Sequence, residues 1–175
     1  MKKIVITLSF FLASTILFAQ SEAKDNQIIA DSEEAKELFL DDDPDMQDFF
    51  DSSYGYIILP NVGKGGFGIG GAAGNGVAFE NGEMVGFARM TQLTIGFQAG
   101  GQVYSEVVFF ENKAAFERFK ENKIEMSAQV SAVAAASGAS LNAKYIDGVA
   151  VFTRTKGGLM YEASVGGQQF KFREK

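Results

Sequence analysis

The sequence has no cysteine, no histidine and no tryptophan, and only two prolines among its 175 residues. Each absence removes chemistry. Without cysteine there is no disulfide, no thiol nucleophile, and no iron–sulfur or thiolate–zinc site. Without histidine the commonest general base and the commonest transition-metal ligand are gone. Positive charge is also scarce: the formal net charge is −6, which argues against a nucleic-acid partner, because such binding needs clustered Lys and Arg. What remains is a binding or structural protein, or an enzyme that works with carboxylates and lysines alone. Hydrophobic residues make up 46% of the chain and charged residues 22%, a globular composition. The length suits one domain.

Residues 1–19 read as an address. Lys2 and Lys3 precede an apolar stretch from Ile4 to Phe18, Ala19 follows, and the chain turns polar at Gln20. This is the pattern of a secretory signal peptide cleaved after Ala19. The apolar run is short of the roughly 20 residues that span a bilayer. The expectation is an exported protein, periplasmic or secreted, possessing no thiol for lipid attachment and no disulfide staples.

Beyond the leader the chain splits into two unlike parts. From Gln20 to Gly55 there are 12 acidic and two basic residues, a net charge of −10. The remainder carries 10 acidic and 12 basic residues, and all 20 glycines lie at or after Gly55. Residues 20–30 read as a flexible N-terminus and 31–53 as an acidic helical head. Asp31 with Glu34 forms a capping-box pattern ahead of Ala35, Leu38 and Phe39. Asp43 before Pro44 marks a second helix start, with Met46, Phe49 and Phe50 on one face. Residues 54–175 read as sheet. Asn75-Gly76 and Asn81-Gly82 are hairpin signals, and Gly157-Gly158 and Gly166-Gly167 read as further turns. Lys113 to Lys120 has a helical pattern capped by Asn112, while Ile124 to Ala136 alternates with the period of a strand. The sum is an α+β single domain. Short N-terminal helices pack on a strongly curved, largely antiparallel, barrel-like sheet of about nine short strands, with one further helix near 112–122.

Several motifs invite a chemical reading. Gly66-Phe67-Gly68-Ile69-Gly70-Gly71 matches Gly-x-Gly-x-x-Gly, yet a turn follows where a dinucleotide site needs a helix. Asp41-Asp42-Asp43-Pro44-Asp45 has alternating acids, but a calcium loop would need glycine sixth and glutamate twelfth, where Met46 and Ser52 stand. Glu106 with Glu111, or Glu80 with Glu83, could pair as acid and base, though no nucleophile or metal cluster accompanies them and strand-end glutamates are ordinarily solvated. The sequence therefore points to no catalytic residue, no metal site and no cofactor. Arg154 and Lys156 share a strand face, as do Lys171 and Arg173. With Lys64 they could gather into a surface for anionic head groups.

Four segments together resemble the SYLF domain, a lipid-binding domain of bacteria and eukaryotes. They are Tyr54 to Gly66, then Gly68-Ile69-Gly70-Gly71 with Gly74-Asn75-Gly76-Val77, then Ile95 to Gln102, and Thr153 to Leu159. The resemblance runs from about Asp31 to Phe172. It implies helices packed on a curved sheet, phospholipid binding (phosphoinositides in eukaryotic members), and actin binding in some fungal relatives. It makes Gly55, Gly66, Gly68, Gly70, Gly71, Gly96, Gly100 and Gly157 structural motif glycines. Two departures stand out: Gly86 to Met90 replaces the family's Trp-Ser-x-Pro-like segment, and the acidic head replaces a basic lead helix. The resulting expectation is an exported, non-enzymatic phospholipid-binding protein with Lys64, Arg154, Lys156 and Lys171 as head-group contacts. The rival is a periplasmic structural or protein-interaction module of the same fold, whose acidic head docks a basic partner or a calcium-loaded surface.

Overall fold

The computed structural model describes the backbone of residues 2–121, 125–126, 133–134, 138 and 140–175. Side chains are described over the same residues except 2–20, 68, 94–99, 125–126, 133–134, 142 and 157–166. The fold is α+β. Helix α1 (Lys2–Asp42) leads through a 3-10 turn (Pro44–Met46) to α2 (Gln47–Ser52). Strands β1 (Gly55–Glu80) and β2 (Glu83–Phe110) follow, then α3 (Lys113–Lys120), the two-residue strands β3 (Glu125–Met126) and β4 (Val133–Ala134), a 3-10 turn (Ser140–Asn142) and β5 (Val149–Glu174). One sheet has the order β1-β2-β5-β3, with β4 also on β5.

The expected series of about nine short strands is instead three very long ones. Asn81-Gly82 does turn the chain, with φ of 51° and 81°, as a two-residue hairpin requires. Asn75-Gly76 does not turn. Gly74, Asn75, Gly76 and Val77 pair without interruption with Met90, Arg89, Ala88 and Phe87. Gly157-Gly158 and Gly166-Gly167 likewise lie inside β5. At Gly76 glycine permits a close approach to Ile58, and of these pairs Asn81-Gly82 is the one that reverses the chain.

The sheet folds over on itself. Gln168 pairs with Gln92, fourteen residues before Glu106 on β2, which is about 46 Å along a flat strand at roughly 3.3 Å per residue. Yet Gln168 Nε2 donates to Glu106 Oε2 at 2.8 Å. The two halves of β1 meet as well. Asn81 N–H donates to the Tyr54 carbonyl at 2.9 Å, and the Tyr56 and Phe79 rings stack at 4.8 Å. A Cβ on Gly66 would overlap Gly70, one on Gly76 would overlap the Ile58 carbonyl oxygen, and one on Gly55 would meet Phe79 O and the Phe116 ring. Ladder irregularities at Leu59/Val62 and Phe67/Ile69 help bend the strand. On β5, β3 runs antiparallel to the C-terminal half and β4 parallel to the N-terminal half. Because those halves point oppositely, both short strands run the same way. The result is strongly curled but not closed into a barrel.

Folding the sheet creates two cores. Between its halves lie Ile57, Leu59, Val62, Ala88, Met90, Val108, Phe110, Val151 and Phe170, plugged at one end by Phe116 and Phe119 of α3. On the outer face of the first half, Phe39, Met46 and Phe50 cover Tyr56, Ile58, Val107, Phe109 and Phe152. Helix α1 contacts both halves. Its Asp25 pairs with Arg173 at 2.8 Å and its Asp42 with Arg154 at 2.6 Å. The stretch 20–30, read from sequence as a flexible N-terminus, thus belongs to α1 and engages the sheet through Asp25.

Local signals fare unevenly. Asn112 caps α3, accepting from Ala115 N–H at 3.0 Å, as expected. Asp31 does not start a helix; it sits within α1 and accepts from Asn61 Nδ2 at 3.1 Å. Asp43 occupies the N-cap position before Pro44 without a side-chain cap bond. Its buried carboxylate instead accepts from the backbone N–H groups of Gly138 and Ser140, at 3.1 and 2.8 Å. The expected strand from Ile124 to Ala136 lies largely outside the described residues, apart from β3 and β4.

If the seam of β1 needs glycine, Gly76→Ala forces a methyl into the Ile58 carbonyl. It should cost at least about 2 kcal/mol in urea unfolding. Gly63→Ala, where a Cβ would meet nothing within 4 Å, should stay within about 0.5 kcal/mol of the parent. Equal costs for the two would exclude a sterically closed seam.

Candidate functional site: a polar chamber and an apolar bend

Side chains alternate along each strand, so the inner face of β2 carries Phe110, Val108, Glu106, Tyr104 and Gln102 in turn. The first two belong to the inner core. The next three open a polar chamber of about 210 Å³, lined also by Lys64, Gln92, Thr153, Thr155 and Gln168. Glu106 is completely buried. Its Oε2 accepts from Gln168, while Glu106 Oε1 and Gln168 Oε1 have no partner among the described residues. Gln102 Nε2 donates to Thr155 Oγ1 at 3.0 Å. Burial pushes the Glu106 carboxyl up to about 7, against the smaller opposing effects of the Gln168 hydrogen bond and the Lys64 charge. Removing a carboxylate from water disfavours its charged form. Glu106 is therefore a proton-exchanging group near neutrality, and the expectation that it is solvated is corrected. The other glutamates behave as ordinary polar groups. Glu80 accepts from Tyr54 Oη at 2.8 Å and pairs with Lys120 at 3.5 Å, while Glu83 and Glu111 are exposed.

At the bend the pattern inverts. Phe67, Ile69 and Leu93 are 88%, 66% and 64% exposed. Ile69 and Gly71 lie two apart on β1, and Gly71 is the ladder partner of Leu93. All three side chains therefore share the outer face. Val103 is exposed farther along the same face, in an open depression of about 500 Å³ formed with Gly63, Lys64, Gly65, Gly101, Gln102 and Lys156.

The four lysines and arginines picked from sequence are not one cluster. Lys64 and Lys156 do meet in this depression, where Lys156 Nζ also donates to Asn61 Oδ1 at 3.0 Å and to the Pro60 carbonyl at 3.3 Å. Arg154 is committed to Asp42 of α1. Lys171 is exposed on the other half of β5, opposite Arg89. Of the motif glycines, Gly55, Gly66, Gly68, Gly70 and Gly71 lie on β1, Gly96 and Gly100 on β2, and Gly157 on β5. The chamber was missed from sequence. Its signal was a lone Glu106 in phase with Tyr104, Val108 and Phe110, on what alternation makes the buried face. Among the described residues no group of three or more Asp or Glu could hold a metal ion.

The raised Glu106 value fixes a direction for stability. Below pH 4.5 the carboxyl is protonated in both folded and unfolded chains and contributes nothing. Between about 4.5 and 7 the unfolded chain loses its proton first, so stability falls as pH rises, by about 3 kcal/mol in all. Glu106→Gln has no proton to lose. Its unfolding free energy relative to the parent should rise across that window and level off above it. A difference independent of pH would show that Glu106 is ionised in the folded protein.

Residues 91–175 match the Ysc84 family, described as "Las17-binding protein actin regulator". The chain is also 30% identical over 133 residues, 75% of its length, to "Beta cell expansion factor A" of Aeromonas veronii. It spans about half the length of that relative. The matched family segment holds most of β2, α3 and all of β5, including Glu106 and Gln168. The chain is a member of the Ysc84, or SYLF, family.

Proposed function

We propose that this chain is an exported phospholipid-binding protein with no catalytic role, which docks on a membrane through the bend of its folded sheet. Three large apolar side chains exposed on one outer face, Phe67, Ile69 and Leu93, carry this reading. A water-facing surface has no reason to concentrate them at the point farthest from the α3 plug, whereas a bilayer interface rewards it. Burying such a side chain contributes about 1.5–3 kcal/mol at most. Incomplete immersion of three leaves on the order of 5 kcal/mol, comparable to the marginal, reversible anchoring by one myristoyl chain. Lys156 beside the bend adds roughly 1 kcal/mol against an anionic leaflet. The acidic head is partly offset, since Asp25 and Asp42 are paired with arginines. The leader at 1–19 is the basis for export.

Co-sedimentation with vesicles of phosphatidylcholine and phosphatidylglycerol tests this. The protein should bind, more weakly at high salt, and Phe67→Asp with Ile69→Asp should lower partitioning at least tenfold without changing the thermal midpoint. Absence of binding by the parent at low salt, or unchanged binding by the double variant, would refute docking through the bend.

A further inference from the structure

The chamber inside the folded sheet is a second feature, separate from the apolar bend. Its eight lining residues are all polar: three glutamines, two threonines, one tyrosine, one glutamate and one lysine. Its volume of about 210 Å³ far exceeds the roughly 15 Å³ that admits one water. Two buried oxygens, Glu106 Oε1 and Gln168 Oε1, have no hydrogen-bond partner among the described residues, and buried acceptors are ordinarily satisfied. With Glu106 ionised, an occupant that satisfies both oxygens presents at least two hydrogen-bond donors to neighbouring oxygens already joined through Gln168 Nε2 and Glu106 Oε2.

The lining narrows the class. An apolar ligand would strand the amides and hydroxyls. A metal cation would find one carboxylate, with an ammonium group in the same wall. A strongly anionic ligand would meet Glu106 at the chamber's most buried point. A neutral molecule carrying several hydroxyls matches each wall group. Hydroxyls donate to carboxylate and amide oxygens and accept from amide N–H groups, threonine hydroxyls and Lys64, while Tyr104 supplies a ring for a C–H face. We infer that the chamber is a binding site for a small neutral polyhydroxylated molecule, a polyol or single sugar unit, whose hydroxyls donate to Glu106 Oε1 and Gln168 Oε1. The same chemistry is presented by a free solute and by a neutral sugar head group.

Side-chain amide signals of Gln92, Gln102 and Gln168 in the ¹⁵N-labelled full chain read occupancy directly. Glycerol, myo-inositol and glucose are the free probes. Phosphatidylcholine vesicles with and without one-tenth monoglucosyl diacylglycerol are the head-group probes. Saturable shifts at millimolar concentration are expected for at least one probe. Gln168→Met, close in volume but without the amide, should raise its Kd at least tenfold. Thr155→Val, at the exposed rim, should raise it a few-fold and guards against a misfolded Gln168 variant. Dependence on Gln168 for free probes only identifies a soluble ligand, and dependence for the glucolipid vesicles only identifies a head group. A chamber holding water only, with no probe shifting these amides up to 100 mM, overturns the inference. So does a response that Gln168→Met and Thr155→Val leave unchanged.

Discussion

The close approach of the two halves of β1 is the constraint on which the rest of the molecule depends. Where Gly76 lies against the Ile58 carbonyl and Gly66 against Gly70, there is no space for a single methyl. Only a strand stripped of side chains there can double back and keep its ladder to β2 on both halves. Once β1 folds, β2 and β5 must follow, because each is paired along nearly its whole length to a neighbour. The fold gives the sheet an inside. Phe110, Val108 and Phe170 become core instead of surface, and α3 closes the end with two phenylalanines. Helix α1, bridging Arg173 of one half and Arg154 of the other, holds the doubled sheet from outside.

This arrangement yields an unusual distribution of polarity. Toward α3 the inside is aromatic and aliphatic. Toward the bend it becomes Glu106, Gln92, Gln102, Gln168 and two threonines, while Phe67, Ile69 and Leu93 face outward. Burying a carboxyl with one oxygen unmatched is costly, and the upward displacement of Glu106 to about 7 expresses that cost. Folding stability alone would favour the reverse placement at both positions. Departures of this kind are expected where a surface or cavity has a use beyond stability.

The head shows how charge was partly legible. Its excess of acid was plain in the sequence, and so was the helical pattern around Ala35 and Phe39. What the acids do was not. Asp43, in an N-cap position by every local rule, serves backbone groups at 138 and 140 instead. A short-range rule cannot see a partner 95 residues away. The glycine pairs failed for a related reason. Asn81-Gly82 turns the chain because strands on both sides pair with each other. Asn75-Gly76 has the same dipeptide, but β2 continues past it as one partner. Glycine licenses a reversal and a close approach equally, and the neighbour decides which occurs.

By itself the sequence determined the class of protein: an α+β domain, an acidic helical head, a capped α3, and a glycine-rich sheet with the segments of the SYLF family. These follow from periodicity, capping chemistry and composition, which act over a few residues. Tertiary structure decided that three long strands replace many short ones, and that Lys64 and Lys156 meet while Arg154 turns to Asp42. It also decided that Glu106 is buried beside Gln168. Those outcomes rest on contacts between residues far apart in the chain, created when the sheet folds over. Alternation along β2 could say that Glu106 faces the same side as Val108; only the doubled sheet makes that side an interior.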